Sequence, residues 1–194
     1  MREIIERIQV ILILLMLIST SLNAQRQYKL SAITKLQVSG TSTLHDWTMV
    51  SNEARASSVI VADGNTLEAI ENLEMTMKSE SLKSGKAGMD SNAYKALKSD
   101  KYPNISFKLL DVQSLDKKED CYQIAAICNM TIANTTTRMT MGVQAYPAQH
   151  TMRFVGSHSF KLTDFEIEPP TALLGTVKTG DLVTIHFDLT FKAE

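Results

Sequence analysis

Hydrophobic and polar residues alternate with a period of two along most of this chain. The clearest run is residues 182–191. There Val183, Ile185, Phe187, Leu189 and Phe191 fall on one side, and Thr184, His186, Asp188 and Thr190 on the other. Such alternation in β-branched and aromatic residues marks a strand with one buried face. The same rhythm predicts a strand over 27–38, with Tyr28, Leu30, Ala32, Leu36 and Val38 inward, and a second over 44–50 after a turn or bulge at Ser39-Gly40-Thr41-Ser42. A weaker strand over 54–61 ends at the turn Asp63-Gly64-Asn65, and Leu73, Met75 and Met77 carry the pattern through 67–78.

The rhythm then breaks. Residues 84–88 read as a flexible segment, and Asp90 or Ser91 caps a short helix through residues 92–98, with Tyr94 and Leu97 on one face. Pro103 stops it, because proline biases the residue before it away from helix. Ile105, Phe107 and Leu109 resume the strand pattern, and 114–120 reads as a charged loop. Tyr122, Ile124, Ala126, Cys128, Met130 and Ile132 share a face; Ala133-Asn134 turns; Met139, Met141 and Val143 lead the next strand. After a loop at 147–151, Met152, Phe154, Gly156, His158, Phe160 and Leu162 share a long face. A connection over 163–178, with Pro169-Pro170, and a turn at Gly180-Asp181 lead into the final strand. The pattern predicts an all-β domain: about eight antiparallel strands and one short helix, curling around an apolar interior.

Residues 1–24 stand apart. Arg2 and Arg7 precede an apolar run at 8–18 and a small, polar stretch ending at Ala24. This is the pattern of a secretory signal cleaved after Ala24, leaving one domain over 25–194. The apolar run is shorter than the about 20 residues a bilayer span needs. Leu22, three positions before the cut, departs from the small residue expected there, and an uncleaved anchor is the alternative. No cysteine lies near the cut for lipid attachment.

A net charge of −1 gives no nucleic-acid footprint. If Cys121 and Cys128 share one strand, seven residues at about 3.3 Å hold them roughly 23 Å apart, beyond the about 7 Å between Cα atoms that a disulfide spans. Ser42, His45 and Asp46 are the residue types of a hydrolytic triad, yet triads assemble from separate segments, and neighbours on a strand point to opposite faces. A polar turn bonded to nearby backbone is the simpler reading. His45, His150, His158 and His186 fit no metal-binding spacing, although His158 and His186 can approach across strands. Catalytic residues, metals and cofactors are therefore not expected. Of the ten methionines, eight lie beyond residue 24, mostly on alternating faces. Methionine fills an ordinary core or lines a wall that adapts to an apolar guest.

Several stretches taken together, YKLSAITKLQVSGTSTLHDW, LKSGKAGMDSNAYKALKSDKYPNISFKLLDV, NMTIANTTTRMTMGV and FKLTDFEIEPPTALLGTVKTGDLVTIHFDLTF, resemble the YceI-like family of exported bacterial proteins. The likeness spans nearly the whole of 25–194. Cys128, where a glycine is expected, and His45-Asp46-Trp47 mark a divergent branch of Bacteroidetes type. The resemblance implies an extended, lipocalin-like antiparallel barrel whose tunnel holds a polyisoprenoid, a quinone tail or a fatty chain. It also implies a periplasmic address and no catalytic residues. Alternation then nominates the tunnel wall: Val38, Trp47, Met75, Met77, Phe107, Met130, Met141, Phe154, Phe160, Phe165, Ile185 and Phe187. An apolar lipid is the expected ligand; transient membrane contact and a dimer are both compatible with it. The alternative is a filled barrel acting as an envelope stress or protein-interaction module.

Overall fold

A computed structural model describes residues 25–172 and 174–194. The expected signal segment, residues 1–24, lies outside the described residues. The strands are β1 (Gln25–Ser42), β2 (Trp47–Val50), β3 (Arg55–Asp63), β4 (Thr66–Lys78), β5 (Asn104–Lys117), β6 (Tyr122–Ile132), β7 (Thr135–Ala148), β8 (Thr151–Lys161), β9 (Thr171–Ala172) and β10 (Val177–Ala193), with one helix, α1 (Ala87–Ala96). Neighbours pair antiparallel from β1 through β3 to β8 and β10, and β10 returns to pair with β1 from Tyr28 to Ser42. That last pairing closes an eight-strand barrel. The two short strands, β2 beside β1 and β9 beside β10, are additions at one end.

Simple alternation holds best in β6, where every second residue from Tyr122 to Ile132 is buried. Elsewhere β-bulges shift its phase. In β1, register breaks between Leu30 and Ala32 and again between Ile33 and Lys35. Leu30, Ile33 and Leu36 therefore pair with the inward Phe191, Leu189 and Phe187, while Ala32, expected inside, sits exposed opposite Thr190. A single bulge swaps the faces of a strand and a second restores them. β5 does the same: its inward residues run Phe107, Leu109, Val112, Leu115 across two breaks, and Leu110 points out. Each bulge adds local twist, which bends long strands around a closed wall.

Other boundaries also differ from the sequence-based expectation. Residues 114–117, expected in a loop, extend β5; 147–148 extend β7; and Gly180, expected in a turn, lies inside β10. Pairing partners supply what the local pattern lacks: Lys117 is held opposite Tyr122, and Ala148 opposite Thr151. A Cβ on Gly180 would lie 2.5 Å from Thr41 Oγ1, so the glycine serves a close strand approach. The helix begins at Ala87, within the segment expected to be flexible, and Asp90 does not cap it. Instead its carboxylate accepts bonds from Ser84 N (2.8 Å) and Ser84 Oγ (2.5 Å), which pin the preceding loop and hold the Asp90 pKa below its ordinary value. The turn Ala133-Asn134 is as expected, with positive φ at both residues (49° and 71°), the geometry of a two-residue hairpin.

Candidate functional site

The two ends of the barrel are unlike. At one end lie the short turns 64–65, 118–121 and 149–150. Tyr28, Ile60, Leu67, Tyr122, Ala145 and Met152 are buried here and pack into a floor. The Tyr122 hydroxyl accepts a bond from Leu67 N–H at 3.2 Å, satisfying a backbone donor within it. At the other end lie the loop 43–46, the excursion 79–103 that carries α1, and the connection 162–176.

Between floor and open end runs a cavity of about 1230 Å³. Its deep part is walled by Ile70, Ile124, Phe154, Leu189 and Phe191, its middle by Met75, Phe107, Met130, Met141, Ile185 and Phe187. The deepest rings, Phe154 and Phe191, meet edge to face at 5.5 Å. Met89, Ala93 and Ala96 of α1, and Leu97 at its C-cap, line the mouth at i, i+4, i+7 and i+8 spacing. Pro170, Thr171, Ala172, Leu174 and Gly175 border it opposite. Polar side chains in the lining are few, and His45, Lys86, Ser91 and Asn92 belong to the loops and helix of the mouth. Along β10 the lining extends from Val177 to Phe191; at about 3.3 Å per residue and a tilt near 40°, that is roughly 35 Å of tunnel.

Two glycines make room for aromatic wall residues. Gly40 pairs with Trp47, whose indole lies over it: a Cβ there would come within 2.5 Å of the ring. Trp47 Nε1 donates to the Thr41 carbonyl at 2.9 Å, which fixes the ring's orientation. Phe187 lies over Gly156 in the same way, with 2.5 Å between its Cζ and a Cβ built on the glycine.

Of the wall residues nominated from alternation, Val38, Trp47, Met75, Met77, Phe107, Met130, Met141, Phe154, Phe160, Ile185 and Phe187 line the cavity. Phe165 does not. β7 and β8 pair only from Val143–Gly156 to Ala148–Thr151, and towards the mouth the seam between them is left unpaired. A 3-10 turn, Leu162–Phe165, lies against this seam, held to β7 by a bond from Thr137 Oγ1 to the Asp164 carbonyl (2.9 Å). Phe165 is fully buried, edge-on to Phe160 at 5.1 Å, packed in the wall rather than presented to the tunnel. Local alternation cannot distinguish these roles, because both bury the ring.

Sequence reasoning also missed wall residues. Val112 lies past a bulge in β5, and Met89, Ala93 and Ala96 lie on the helix; Leu36, read as inward, was not nominated for the wall but lines it too. Helical spacing alone was the available signal for α1, and Tyr94 obscured it. Tyr94 faces away, its hydroxyl donating to the Leu82 carbonyl (2.7 Å) and accepting from Lys83 Nζ (2.7 Å).

The triad-like residues form a turn. Ser42 Oγ donates to the His45 carbonyl (2.7 Å) and accepts from His45 N–H (3.2 Å), while His45 Nδ1 donates to the Asp46 carbonyl (2.7 Å). Ser42 thus meets the backbone of His45, and no nucleophile–base pair forms between them. His158 lies opposite Ile185 on the inward face, where burial lowers its pKa; His186 lies opposite Ser157 on the outer face. Neighbouring strands therefore separate these two rings. Among the described residues no three His, Cys, Asp or Glu side chains gather to hold a metal ion. Cys128 is buried in the wall with its thiol toward the Met139 carbonyl, and burial pushes its pKa up to about 11.

Comparison with solved structures returns barrels of the same fold. A polyisoprenoid-binding domain from Saccharophagus degradans, implicated in plant cell wall breakdown, aligns with a TM-score of 0.64 at 12% identity, covering 86% of this chain and 98% of that one. Burkholderia cenocepacia BcnA aligns with a TM-score of 0.59 at 17% identity, covering 80% and 95%. The Campylobacter jejuni YCEI protein aligns with a TM-score of 0.53 at 17% identity, covering 72% and 81%. A sequence search of curated proteins returned no match. Residues 29–191, nearly the entire barrel, match the YceI-like domain. The closed eight-strand wall, the tunnel and this match together assign the chain to a family: it belongs to the YceI-like domain proteins.

Proposed function

We propose that this protein is a periplasmic carrier that holds the long apolar tail of a lipid in its tunnel, acting as a binding protein and not as an enzyme. The observation that carries the reading is the tunnel: deep, blind at one end, apolar along its wall, with polar side chains gathered at the mouth. Its size favours a polyisoprenoid or quinone tail over a single fatty chain. A methylene group takes roughly the volume of a liquid water molecule, about 30 Å³, so about 1230 Å³ accommodates some 40 such groups. One leaflet's chains span about 15 Å, half of a bilayer's hydrocarbon core, well short of the tunnel. The Saccharophagus relative, described as polyisoprenoid-binding, supports the same ligand class. The sequence of residues 1–24 supports export.

The physics suits exchange. Exposing a tail to water costs about 0.8 kcal/mol per methylene, whereas moving it from one apolar medium to another costs little. The six wall methionines, Met49, Met75, Met77, Met89, Met130 and Met141, are unbranched and adapt to a flexible guest. Native mass spectrometry of protein purified without detergent tests the reading. The expected spectrum shows an adduct of isoprenoid mass that leaves on organic extraction. A ligand-free mass, with no uptake of a fluorescent polyprenyl lipid, refutes it.

A further inference from the structure

We propose that the open end of the barrel docks on the surface of a lipid bilayer, with Leu44 and Leu174 as the apolar tips that enter the interface. The proposal rests on the carrier reading and adds where and how the tail is exchanged. Leu174 is 106% exposed and Leu44 66%, the two most exposed large hydrophobic side chains among the described residues. They sit on adjoining loops tied by three bonds: Thr43 N to the Lys178 carbonyl (3.0 Å), Thr43 Oγ1 to the Thr176 carbonyl (3.3 Å) and Lys178 N to Thr43 Oγ1 (3.1 Å). The segments that carry the two tips are therefore joined at Thr43.

Three observations favour a bilayer as the occupant. First, Leu174 also lines the mouth beside Pro170 and Ala172, so apolar side chains lead from the rim into the tunnel. A tail can pass along it without meeting water only if the rim touches the medium that holds the tail. Second, the ends contrast. None of the exposed large hydrophobics (Leu44, Val50, Leu110, Leu174, Leu182) lies on the turns of the closed end, one of which carries Lys118, Glu119 and Asp120. Third, Leu174 has φ +56°, a left-handed conformation unfavourable for leucine, and is followed by Gly175 at +86°. This tight turn holds the side chain outward where a polar residue would ordinarily stand. The rim lacks a polybasic cluster, so docking depends on apolar insertion and proceeds on neutral lipid.

Flotation with phosphatidylcholine vesicles tests the proposal, using residues 25–194, which contain the complete barrel. The wild-type protein is expected to co-float. The double variant Leu44→Ser/Leu174→Ser is expected to lose about tenfold in partitioning, while Leu110→Ser, on the barrel flank, behaves as wild type. Absence of wild-type co-flotation, or equal flotation of the double variant, overturns docking. Uptake of a polyprenyl lipid delivered in detergent reads the tunnel separately. Leu44→Ser, at a residue outside the tunnel lining, should match wild type there, and failure of both proteins to take up the lipid would sink the carrier reading while leaving the flotation result to decide docking.

Discussion

Ala126 offers the sharpest test of the hollow interior. It lies on β6, opposite Met141 of β7 and Val112 of β5, and its methyl group faces the tunnel between its middle and deep parts. Ala126→Trp adds an indole at a point where the wall is lined but the space ahead is open. In a filled core such a change overpacks and costs about 1–3 kcal/mol or more. In a hollow one the ring enters empty space, buries its own apolar surface, and leaves stability unchanged or raised. The same ring takes the place of about nine methylene-sized groups of the guest. Were all nine forced into water, the loss would be about 7 kcal/mol at 0.8 kcal/mol each. A third of that, about 2 kcal/mol, still weakens binding roughly 30-fold. The assay pairs thermal unfolding with titration of polyprenyl lipids of increasing length. The expected result is a variant as stable as wild type that binds short tails normally and the longest tails at least 30-fold more weakly. Two outcomes refute the reasoning: a destabilised variant, which means the interior at Ala126 is already full, or a stable variant with unchanged affinity for the longest tail, which means the tail does not reach that depth.

Other expectations follow from single contacts. Asp188, largely buried on β10, accepts a two-pronged bond from Arg153 (2.7 Å to each oxygen), and this bond holds its carboxyl below the ordinary carboxylate range. Its stabilising contribution is therefore complete above the unfolded carboxylate pKa of about 4 and is lost as pH falls further; Asp188→Asn should lower Tm at neutral pH, with the difference from wild type shrinking below that value. Cys128, with its pKa pushed up to about 11, should resist iodoacetamide at pH 8 in the folded protein while the partly exposed Cys121 is labelled, a single adduct by mass; unfolding in denaturant should yield two. Gly40→Ala places a Cβ 2.5 Å from the indole of Trp47, so it should cost roughly 1–3 kcal/mol in urea unfolding and shift the emission of Trp47, the chain's single tryptophan.

What the chain discloses by itself is which side of each ribbon avoids water. β6 is plain in the sequence because Tyr122 to Ile132 alternate without interruption, and the hairpin at Ala133-Asn134 carries its own turn chemistry. The barrel class follows from eight such ribbons and short turns. Three matters needed the tertiary structure. Bulges in β1 and β5 change the phase of alternation, and only the facing strand reveals where: Ile33 is inward because it meets Leu189, and Ala32 outward because it meets Thr190. Phe165 and Phe160 look equivalent in sequence, yet one wedges the seam left by β7 and β8 while the other lines the tunnel. Last, the hollow itself is not a local property. Alternation states that Val38, Met141 and Phe187 point inward, but whether their side chains meet across the barrel depends on strand number, tilt and stagger, which set its radius. Those are fixed by pairing between segments far apart in the chain, as when β10 closes upon β1.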